Sequence, residues 1–317
     1  MNKLLLSILI LLSSAYSLVS SSLPKVYINK IVDHPALDKT VEGIRDGLEN
    51  CGFAAGENLE FKAESAQGNV SLANQITSKF INTGADVIVG LGTVSAQSAL
   101  KSAREKKVQL VFSSITDPES AGLLSDPEIV GVSNFIPLKP QLEFFKKLQP
   151  QLNTLGILYN SGELNSIEIV KKLEAACLEM GIKLVKQTVT KSSEVPQTAQ
   201  KLASQVDAIF ISNDNTALSA LQVILNIATQ ASIPVYVSDT DAVGLGAVAA
   251  YGPNQYEVGV LTGEIIAKHL KGEPVAQQVN VPQKTEIVIN QKALNQLGLR
   301  VPSELQESVT LVSGEGK

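Results

Sequence analysis

The sequence contains one sixteen-residue pattern twice, 121 positions apart, and this repeat limits the folds open to the chain. The copies are Ala85–Leu100 and Val206–Leu221, and six of the sixteen positions agree without a gap. In each copy an acidic residue precedes an apolar run typical of a strand, a short polar turn follows, and a helical stretch begins with Ala-x-Ser-Ala-Leu. Each copy therefore predicts a strand followed by a helix.

A second strand and polar turn follow each copy at a similar distance, at Leu110–Asp117 and Val235–Asp241. Strands separated by helical segments run parallel, because a parallel pair requires a crossover. In open parallel sheets, ligands bind beyond the carboxyl ends of the strands, which is where both copies place Ser, Thr, Asn and Asp. The pattern predicts two similar α/β lobes with a ligand cleft between them.

The overall composition is that of a globular protein, and it argues against one class of partner. The 317 residues are 44% hydrophobic and 18% charged, and this length suits two domains. The net charge is −5, and no run of Lys or Arg is long enough to follow a phosphate backbone. We therefore expect no nucleic-acid partner.

The first residues form a separate segment. Lys3 is followed by the apolar run Leu4–Leu12 and then by mostly small polar residues up to Ser22, which is typical of a secretory signal peptide. A run of nine residues cannot cross a bilayer core of about 30 Å, which takes about 20 residues. Because no Cys follows the run, we expect cleavage to a mature start between Leu18 and Leu23, no lipid anchor, and a periplasmic location.

Two cysteines are present, and the predicted lobes separate them. Cys51 ends a helix of the first lobe and Cys177 lies in a helix of the second, so a disulfide would have to bridge the lobes. We expect two buried free thiols, since free Cys packs as a small apolar residue.

The α/β pattern breaks between Ile129 and Pro150, where three prolines bracket one helical stretch. We place the first passage between lobes at about residue 137, and the later strand, helix, strand and tail helix suggest two more. The predicted division is a signal peptide at 1–22, an N-terminal lobe at 24–136 plus 252–276, and a C-terminal lobe at 137–251 plus 277–317.

Motifs for catalysis or metal binding are scarce. His34 and His269 are the only histidines, and the Gly-x-Ser-x-Gly, His-Glu-x-x-His and phosphate-loop patterns are absent. We therefore expect no metal and no cofactor. An exported enzyme on the same scaffold would need a general base, and His34 next to Asp33 is the one candidate.

Neutral donors follow the strands of the first lobe. Thr93 and Ser95 stand at the start of the repeat helix, and Ser114 and Thr116 stand at the end of the next strand. Thr93 or Ser95 can cap the helix. The same amides and hydroxyls can instead accept a ligand anion at the helix N-terminus. Both readings are open, and the hydroxyls together suit one carboxylate.

The second lobe has acids at the corresponding positions. Asp214 aligns with Thr93, Asp239 aligns with Ser114, and Asp241 follows two residues later. Each can be a helix cap or a ligand contact. A cleft with neutral donors on one wall and carboxylates on the other complements a zwitterion, of which an α-amino acid is the simplest.

Several short motifs resemble one known family, in the same order along residues 25 to 290. They are VDHPALD (32–38), SAQG (65–68), TVSAQ (93–97), TDP (116–118) with AGL (121–123), YNSGE (159–163) with NS (165–166), DNT (214–216) and DTD (239–241). They resemble the exported substrate-binding components of ABC importers, in particular the group whose better-known members bind tryptophan, tyrosine or phenylalanine. The resemblance implies a type I periplasmic-binding-protein fold, hinged closure on the ligand, and delivery to a permease driven by a separate ATPase.

The resemblance also extends the set of candidate ligand-binding residues, and Tyr251 joins it as an aromatic near a strand end. The full predicted set is His34, Thr93, Ser95, Ser114, Thr116, Asp117, Asn160, Glu163, Asn165, Asn213, Asp214, Asp239, Asp241 and Tyr251. Two departures bear on the side-chain pocket. The family often has Asn-Pro-Gly-Glu where this chain has Asn160–Glu163, and Pro-Thr-Asp-Asn where it has Ser212–Asn215.

Together these patterns predict a monomeric periplasmic protein that binds a free amino acid, expected to be aromatic, and that is not an enzyme. A sugar or nucleoside held by the same strand-end groups is the alternative ligand. An exported enzyme on the same scaffold is the alternative class.

Overall fold

The computed structural model describes residues 22–314, which form two α/β lobes. The predicted signal peptide lies outside the described residues except for Ser22. Within 22–314 no helix is long and apolar enough to cross a membrane.

The strands and helices alternate along most of the chain, as the sequence predicts. The strands are β1 Lys25–Lys30, β2 Glu60–Ser65, β3 Val87–Leu91, β4 Gln109–Ile115, β5 Val130–Ser133, β6 Thr154–Asn160, β7 Lys183–Val189, β8 Ala208–Ile211, β9 Val235–Val237, β10 Ala249–Pro253, β11 Val279–Asn280, β12 Thr285–Asn290 and β13 Thr310–Val312. The helices are α1 Pro35–Asn50, α2 Val70–Asn82, α3 Thr93–Lys106, α4 Leu138–Leu148, α5 Leu164–Glu179, α6 Val195–Ala203, α7 Asn215–Ser219, α8 Leu221–Gln230, α9 Asp241–Gly244, α10 Gln255–Leu270 and α11 Gln291–Gln296.

Each lobe is built on one sheet. The first sheet has the order β11-β5-β4-β3-β1-β2 and all its pairs are parallel. The second has the order β13-β12-β10-β9-β8-β6-β7, with β10 and β12 antiparallel. Strands such as β3 and β8 are buried along their whole length, because parallel sheets are covered by helices on both faces. The α/β prediction is confirmed.

The chain passes between the sheets three times, after β5, between β10 and α10, and between β11 and β12. The predicted boundaries after residues 251 and 276 fall slightly early. Gly252 and Pro253 still pair with β12, and Val279 and Asn280 pair with β5 of the first sheet. Backbone pairing therefore extends each segment a few residues past the point where the local pattern suggests an end.

Helices α1 and α10 pack closely in the first lobe, and this contact positions two residues of the cleft. A Cβ atom on Gly43 would lie 2.1 Å from the Tyr256 carbonyl oxygen, and one on Gly259 would lie 2.2 Å from the Thr40 carbonyl oxygen. Only glycine allows this approach. His34 caps the start of α1 and Gln255 begins α10, so the packing fixes both side chains relative to each other.

The cysteines are unpaired. Cys177 is buried in the second lobe, whereas Cys51 is half-buried against the core of the first. Free thiols are confirmed, but only one of them is fully buried.

Candidate ligand-binding site

A polar cavity lies between the lobes, beyond the carboxyl ends of β3, β4, β8 and β9. It is lined by His34, Ala36, Leu37, Gly92, Thr93, Ser114, Thr116, Asn134, Asn165, Asn213, Asn215, Leu218, Asp239 and Gln255. This is the edge at which open parallel sheets bind ligands.

The wall from the first lobe includes a helix end that has no side-chain cap. Gly92 occupies the N-cap position of α3 with φ +88°, and its missing side chain leaves the helix start uncovered. Between residues 22 and 314 no protein group accepts a hydrogen bond from the amides of Thr93, Val94 or Ser95. Thr93 itself lines the cavity. Free amides and the helix dipole make this end of α3 attractive to an anion.

Ser114 and Thr116 add hydroxyl groups to the same wall. Ser114 has φ +54°, an uncommon conformation for a residue other than glycine, at an irregularity in the pairing of β4 with β5. Its Oγ donates to Gln255 Oε1 at 3.1 Å. Thr116 is buried and its hydroxyl bonds to no other residue in the described part of the chain. Strained backbone of this kind clusters at functional sites, in agreement with the position of Ser114 in the cavity lining.

The wall from the second lobe carries one carboxylate that faces the cavity. Asp239 is only 3% exposed, and it accepts a hydrogen bond from the Asp241 amide at 3.1 Å. Burial, helped by the charge of Asp241, raises the pKa of Asp239 to about 7. A buried carboxylate without a countercharge is unfavourable, so a bound cation would stabilise its ionised form.

Asp214 does not line the cavity, which contradicts one reading of its position. Its Oδ1 accepts from the Ala217 amide at 2.7 Å and caps α7. Its Oδ2 accepts from the Asn160 amide and from Ser166 Oγ, both at 2.6 Å. Burial, together with the charge of Glu163, raises the pKa of Asp214. Both oxygens accept from protein groups, so Asp214 joins three chain segments and leaves neither oxygen free for a ligand.

Glu163 is also an internal anchor. Its two oxygens accept from the amides of Asn215 and Thr216, each at 3.1 Å. They also accept from Asn215 Nδ2 at 2.6 Å and Thr216 Oγ1 at 2.8 Å. Asn160 Nδ2 donates to the same Thr216 hydroxyl at 2.8 Å. Glu163 and Asn160 therefore hold the first two residues of α7 in place.

His34 forms a hydrogen bond between the lobes. Because Asn215 Nδ2 donates to Glu163, its Oδ1 faces His34 Nε2 at 3.4 Å. The other ring nitrogen, Nδ1, accepts from the Leu37 amide at 3.4 Å, so we assign the ring proton to Nε2. Burial lowers the pKa of His34 to about 4 and keeps it neutral. With both nitrogens engaged, His34 is poorly suited to act as a general base, and nothing here favours the enzyme alternative.

Half of the predicted site residues line the cavity and half do not. Those that line it are His34, Thr93, Ser114, Thr116, Asn165, Asn213 and Asp239. Those placed elsewhere are Ser95, Asp117, Asn160, Glu163, Asp214, Asp241 and Tyr251.

Of the other four residues outside the cavity, three have side-chain partners elsewhere in the protein. Ser95 Oγ donates to Asn29 Oδ1 at 3.3 Å, inside the first lobe. Asp117 forms a salt bridge with Lys172 at 2.8 Å on the outside of the cleft. Tyr251 packs beside Phe144 with ring centroids 6.1 Å apart. Asp241 begins α9 and its backbone amide donates to Asp239, whereas its own Oδ2 is buried without a hydrogen-bond partner among the described residues.

Among the lining residues absent from the predicted set, Asn134, Leu218 and Gln255 lie outside the quoted motifs. Asn134 and Gln255 lie at passages between the lobes, where no strand or helix periodicity indicates a site. Leu218 lies on α7 and reads as a core residue. Asn215 was within reach of sequence reasoning, because it follows Asp214 in the second copy of the repeat.

No group of His, Cys, Asp and Glu side chains within residues 22–314 could hold a metal ion. The cavity instead offers hydrogen-bond donors on one wall and acceptors on the other.

The protein has two α/β lobes joined by three passages, and a polar cavity lies where their strand ends face each other. This architecture is the type I periplasmic-binding-protein fold. Residues 25–312 match the family model described as ABC transporter substrate binding protein. The chain therefore belongs to the ABC transporter substrate-binding protein family, whose members are binding components of transporters.

Two relatives share about 30% of their residues with this chain. A tyrosine-binding protein of Clostridioides difficile (strain R20291) is 29% identical over 279 residues, which cover 86% of this chain and 80% of the relative. A protein from Streptococcus pneumonia, solved in complex with L-Trp, is 30% identical with a TM-score of 0.85, covering 92% of this chain and 99% of the other. Solved binding proteins at 15–19% identity, several of them with a bound sugar or polyol, share the fold alone.

A third relative indicates how the lobes of this chain are arranged. The ligand-free, open structure of a substrate-binding protein with adhesive properties from Clostridium difficile is 32% identical and covers 92% of this chain and 100% of the other. Its TM-score is 0.68, against 0.85 for the L-Trp complex at nearly the same identity. The lobes here are therefore arranged more like the L-Trp complex than like the open structure, in agreement with the hydrogen bond between His34 and Asn215.

Proposed function

We propose that this protein binds a free α-amino acid with an aromatic side chain between its lobes. The observation that carries the proposal is the division of the cavity into a donor wall and an acidic wall. The uncapped start of α3, with Thr93 and Thr116, suits the ligand carboxylate. Asp239 opposite suits the ligand ammonium.

The relatives support the same class of ligand. One is a tyrosine-binding protein and another was solved with L-Trp, at 29% and 30% identity over most of the chain. Ala36, Leu37 and Leu218 are the apolar residues that line the cavity, and we assign the ligand side chain to this surface. Apolar surface of this kind contributes to affinity in proportion to the area removed from water.

We place the protein in a transport cycle outside the cytoplasm. The start of the sequence has the pattern of a cleaved signal peptide without a lipid-anchored Cys. In this proposal the monomeric protein binds its amino acid, the lobes close, and the closed form delivers the ligand to a membrane permease driven by a separate ATPase. Intact-mass measurement of exported protein should give a chain that starts between Leu18 and Leu23; a retained Met1 or an acyl adduct would exclude this processing.

A binding panel tests the ligand class. Free aromatic L-amino acids should raise the melting temperature, because a ligand that binds only the folded form stabilises it by about 2.7 kcal/mol at a hundredfold excess over Kd. N-acetylated and amidated forms of the same amino acids should lose the effect, since each removes one charge of the zwitterion. If sugars or nucleosides shift the melting temperature and amino acids do not, the proposal is wrong and the ligand is a neutral polar solute.

A further inference from the structure

Two asparagines of the cavity wall carry buried oxygens that no protein group satisfies. Asn165 is 4% exposed and Asn134 is 5% exposed, and in each the side-chain Oδ1 has no hydrogen-bond partner among the described residues. Both residues line the same cavity as Asp239. Buried polar atoms are nearly always paired, so two unpaired acceptors in one cavity require an explanation.

The orientation of the Asn165 amide is fixed by its neighbours. Its Nδ2 donates to the Asn213 carbonyl oxygen at 2.8 Å and lies 3.4 Å from Glu163 Oε2. Turning the amide over would place Oδ1 against these two acceptors. Asn165 therefore offers an acceptor, and not a donor, to the cavity.

Asn134 occupies a different kind of position. It follows β5 on the first passage between the lobes, and its backbone amide donates to the Ile115 carbonyl oxygen at 3.2 Å. The backbone of Asn134 is thus held beside the end of β4, and its side-chain Oδ1 is buried without a partner at the cavity. The three acceptor groups come from different elements: Asn134 from the first passage, Asn165 from α5, and Asp239 from the end of β9.

The geometry points to a three-acceptor site, made by Asp239, Asn165 and Asn134, that binds the α-ammonium of the ligand and selects an unsubstituted primary amine. This inference rests on the proposed amino-acid function. An ammonium group has three N–H donors and no acceptor, so one carboxylate and two amide oxygens satisfy all three and balance the charge. A sugar hydroxyl also carries lone pairs, which a wall of acceptors leaves unpaired.

A comparison of free and N,N-dimethylated ligand tests the site. The probe is the aromatic L-amino acid that binds most tightly in the panel, together with its N,N-dimethyl form, which keeps the positive charge and a single N–H for Asp239. Titration calorimetry on the full chain should show that dimethylation lowers affinity about a hundredfold or more, because hydrogen bonds to charged groups contribute about 1.5–3 kcal/mol each and every 1.4 kcal/mol is tenfold.

Asn165→Leu removes the acceptor while keeping a side chain of the same branching and similar size. It should bind the free amino acid about tenfold more weakly, and dimethylation should then cost about tenfold less than in the parent. Asn134→Leu should behave in the same way. The ratio of the Kd values for the two ligands is measured within each variant, so a partly unfolded preparation does not distort it. Asn165→Ala is measured beside the two leucine variants, because it removes the same acceptor but also leaves space for the methyl groups.

Asn226→Ala, an exposed asparagine on α8 away from the cavity, is the matched control and should keep the parent affinity and the parent ratio. The inference is overturned if both leucine variants retain the full dimethylation penalty. It is also overturned if the penalty shrinks only in Asn165→Ala, because the effect would then reflect space for the methyl groups. Failure of the parent to bind any free amino acid would instead overturn the proposed function.

Discussion

The two copies of the repeated pattern fold alike but treat the start of their helices differently. In the first copy Gly92 precedes α3, supplies no side chain, and leaves three amides free at the edge of the cavity. In the second copy Asp214 precedes α7, and its carboxylate caps the helix and ties it to β6 and α5. A helix start that the protein itself satisfies is structural, whereas one left open beside a cavity is available to a ligand.

The acidic residue of the binding wall therefore comes from the next strand. Asp239 follows β9, has a single hydrogen bond from the protein, and faces the cavity that Asp214 does not reach. The following experiments can break or sharpen this contrast, and they are arranged from the largest expected effect to the smallest.

The largest effect should come from placing an acidic residue at Thr93, the position of the first copy that aligns with Asp214 of the second. Thr93→Asp places a carboxylate at the aligned position, where we assign the ligand carboxylate, and like charges in a buried site cost several kcal/mol. We expect loss of detectable amino-acid binding by calorimetry. Thr93→Val is the control and should cost only about 0.5–1.5 kcal/mol, the value of one neutral hydrogen bond. Equal losses in the two variants would show that no anion binds at α3.

Asp239→Asn should weaken amino-acid binding by about 2–5 kcal/mol, which is roughly 30- to several-thousand-fold in Kd, because it removes the charge that faces the ammonium. The melting temperature of the ligand-free variant at pH 8 should not fall, since burial makes the free carboxylate unfavourable there. Binding within about threefold of the parent would mean that Asp239 does not contact the ligand.

Asp214→Asn should show the opposite pattern. The new amide nitrogen cannot accept a hydrogen bond, so at least one present donor loses its acceptor. This donor is either the Ala217 amide, or the Asn160 amide together with the Ser166 hydroxyl. We expect the free energy of unfolding in urea to fall by about 1–3 kcal/mol. Affinity for the amino acid, measured on the folded fraction, should change less than in Asp239→Asn. A larger loss of affinity than of stability would place Asp214 in the ligand site after all.

The acidic wall also predicts a pH dependence. The pKa of Asp239 is raised to about 7, and binding of an ammonium requires its ionised form. Affinity should therefore weaken about tenfold for each pH unit below 7, and calorimetry at pH 5, 6, 7 and 8 measures the slope. Asp239→Asn should remove it.

The same raised pKa acts in the opposite direction on the ligand-free fold. A carboxyl group whose pKa is higher in the folded than in the unfolded protein contributes stability that is present below about pH 4 and is lost as the pH rises through about 7. Urea unfolding across this range should show that decline, and the decline should be smaller in Asp239→Asn. An unchanged decline would assign it to other groups, such as Asp214 and Asp241, whose pKa values burial also raises.

The smallest effect should come from a salt bridge between the two lobes. Lys172 on α5 reaches Asp117 of the first lobe at 2.8 Å and lies 4.5 Å from the centre of the Phe135 ring. The pair is 41% and 19% exposed, so Lys172→Met should cost only about 0.2–1 kcal/mol of affinity, and high salt should abolish the difference.

Lys171→Met is the matched control for this last test, because Lys171 pairs with Glu168 inside the same helix at 2.7 Å and touches only one lobe. It should leave affinity unchanged. Equal losses in both lysine variants would argue against a salt bridge that holds the lobes together.

Local patterns in the sequence determined the architecture of this protein. Apolar strands, helical periodicity and the repeat predicted two parallel α/β lobes, because these signals arise from neighbouring residues that bury one face together. Hydroxyls and acids after the strands predicted a site at the right edge, since the carboxyl ends of parallel strands meet there. The motifs alone also identified the family that the match over residues 25–312 later established.

The tertiary structure decided which of these polar residues face the cavity. Asp214 and Asp239 both follow buried strands of the same sheet, and nothing local distinguishes them. The difference arises from partners distant in sequence, because Asp214 is occupied by Asn160 and Ser166, which lie 54 and 48 residues away. Asn134 and Gln255 enter the site through passages between the lobes that have no periodicity. A buried acid binds a ligand only if the protein leaves it unpaired, and pairing depends on contacts that the folded chain alone brings together.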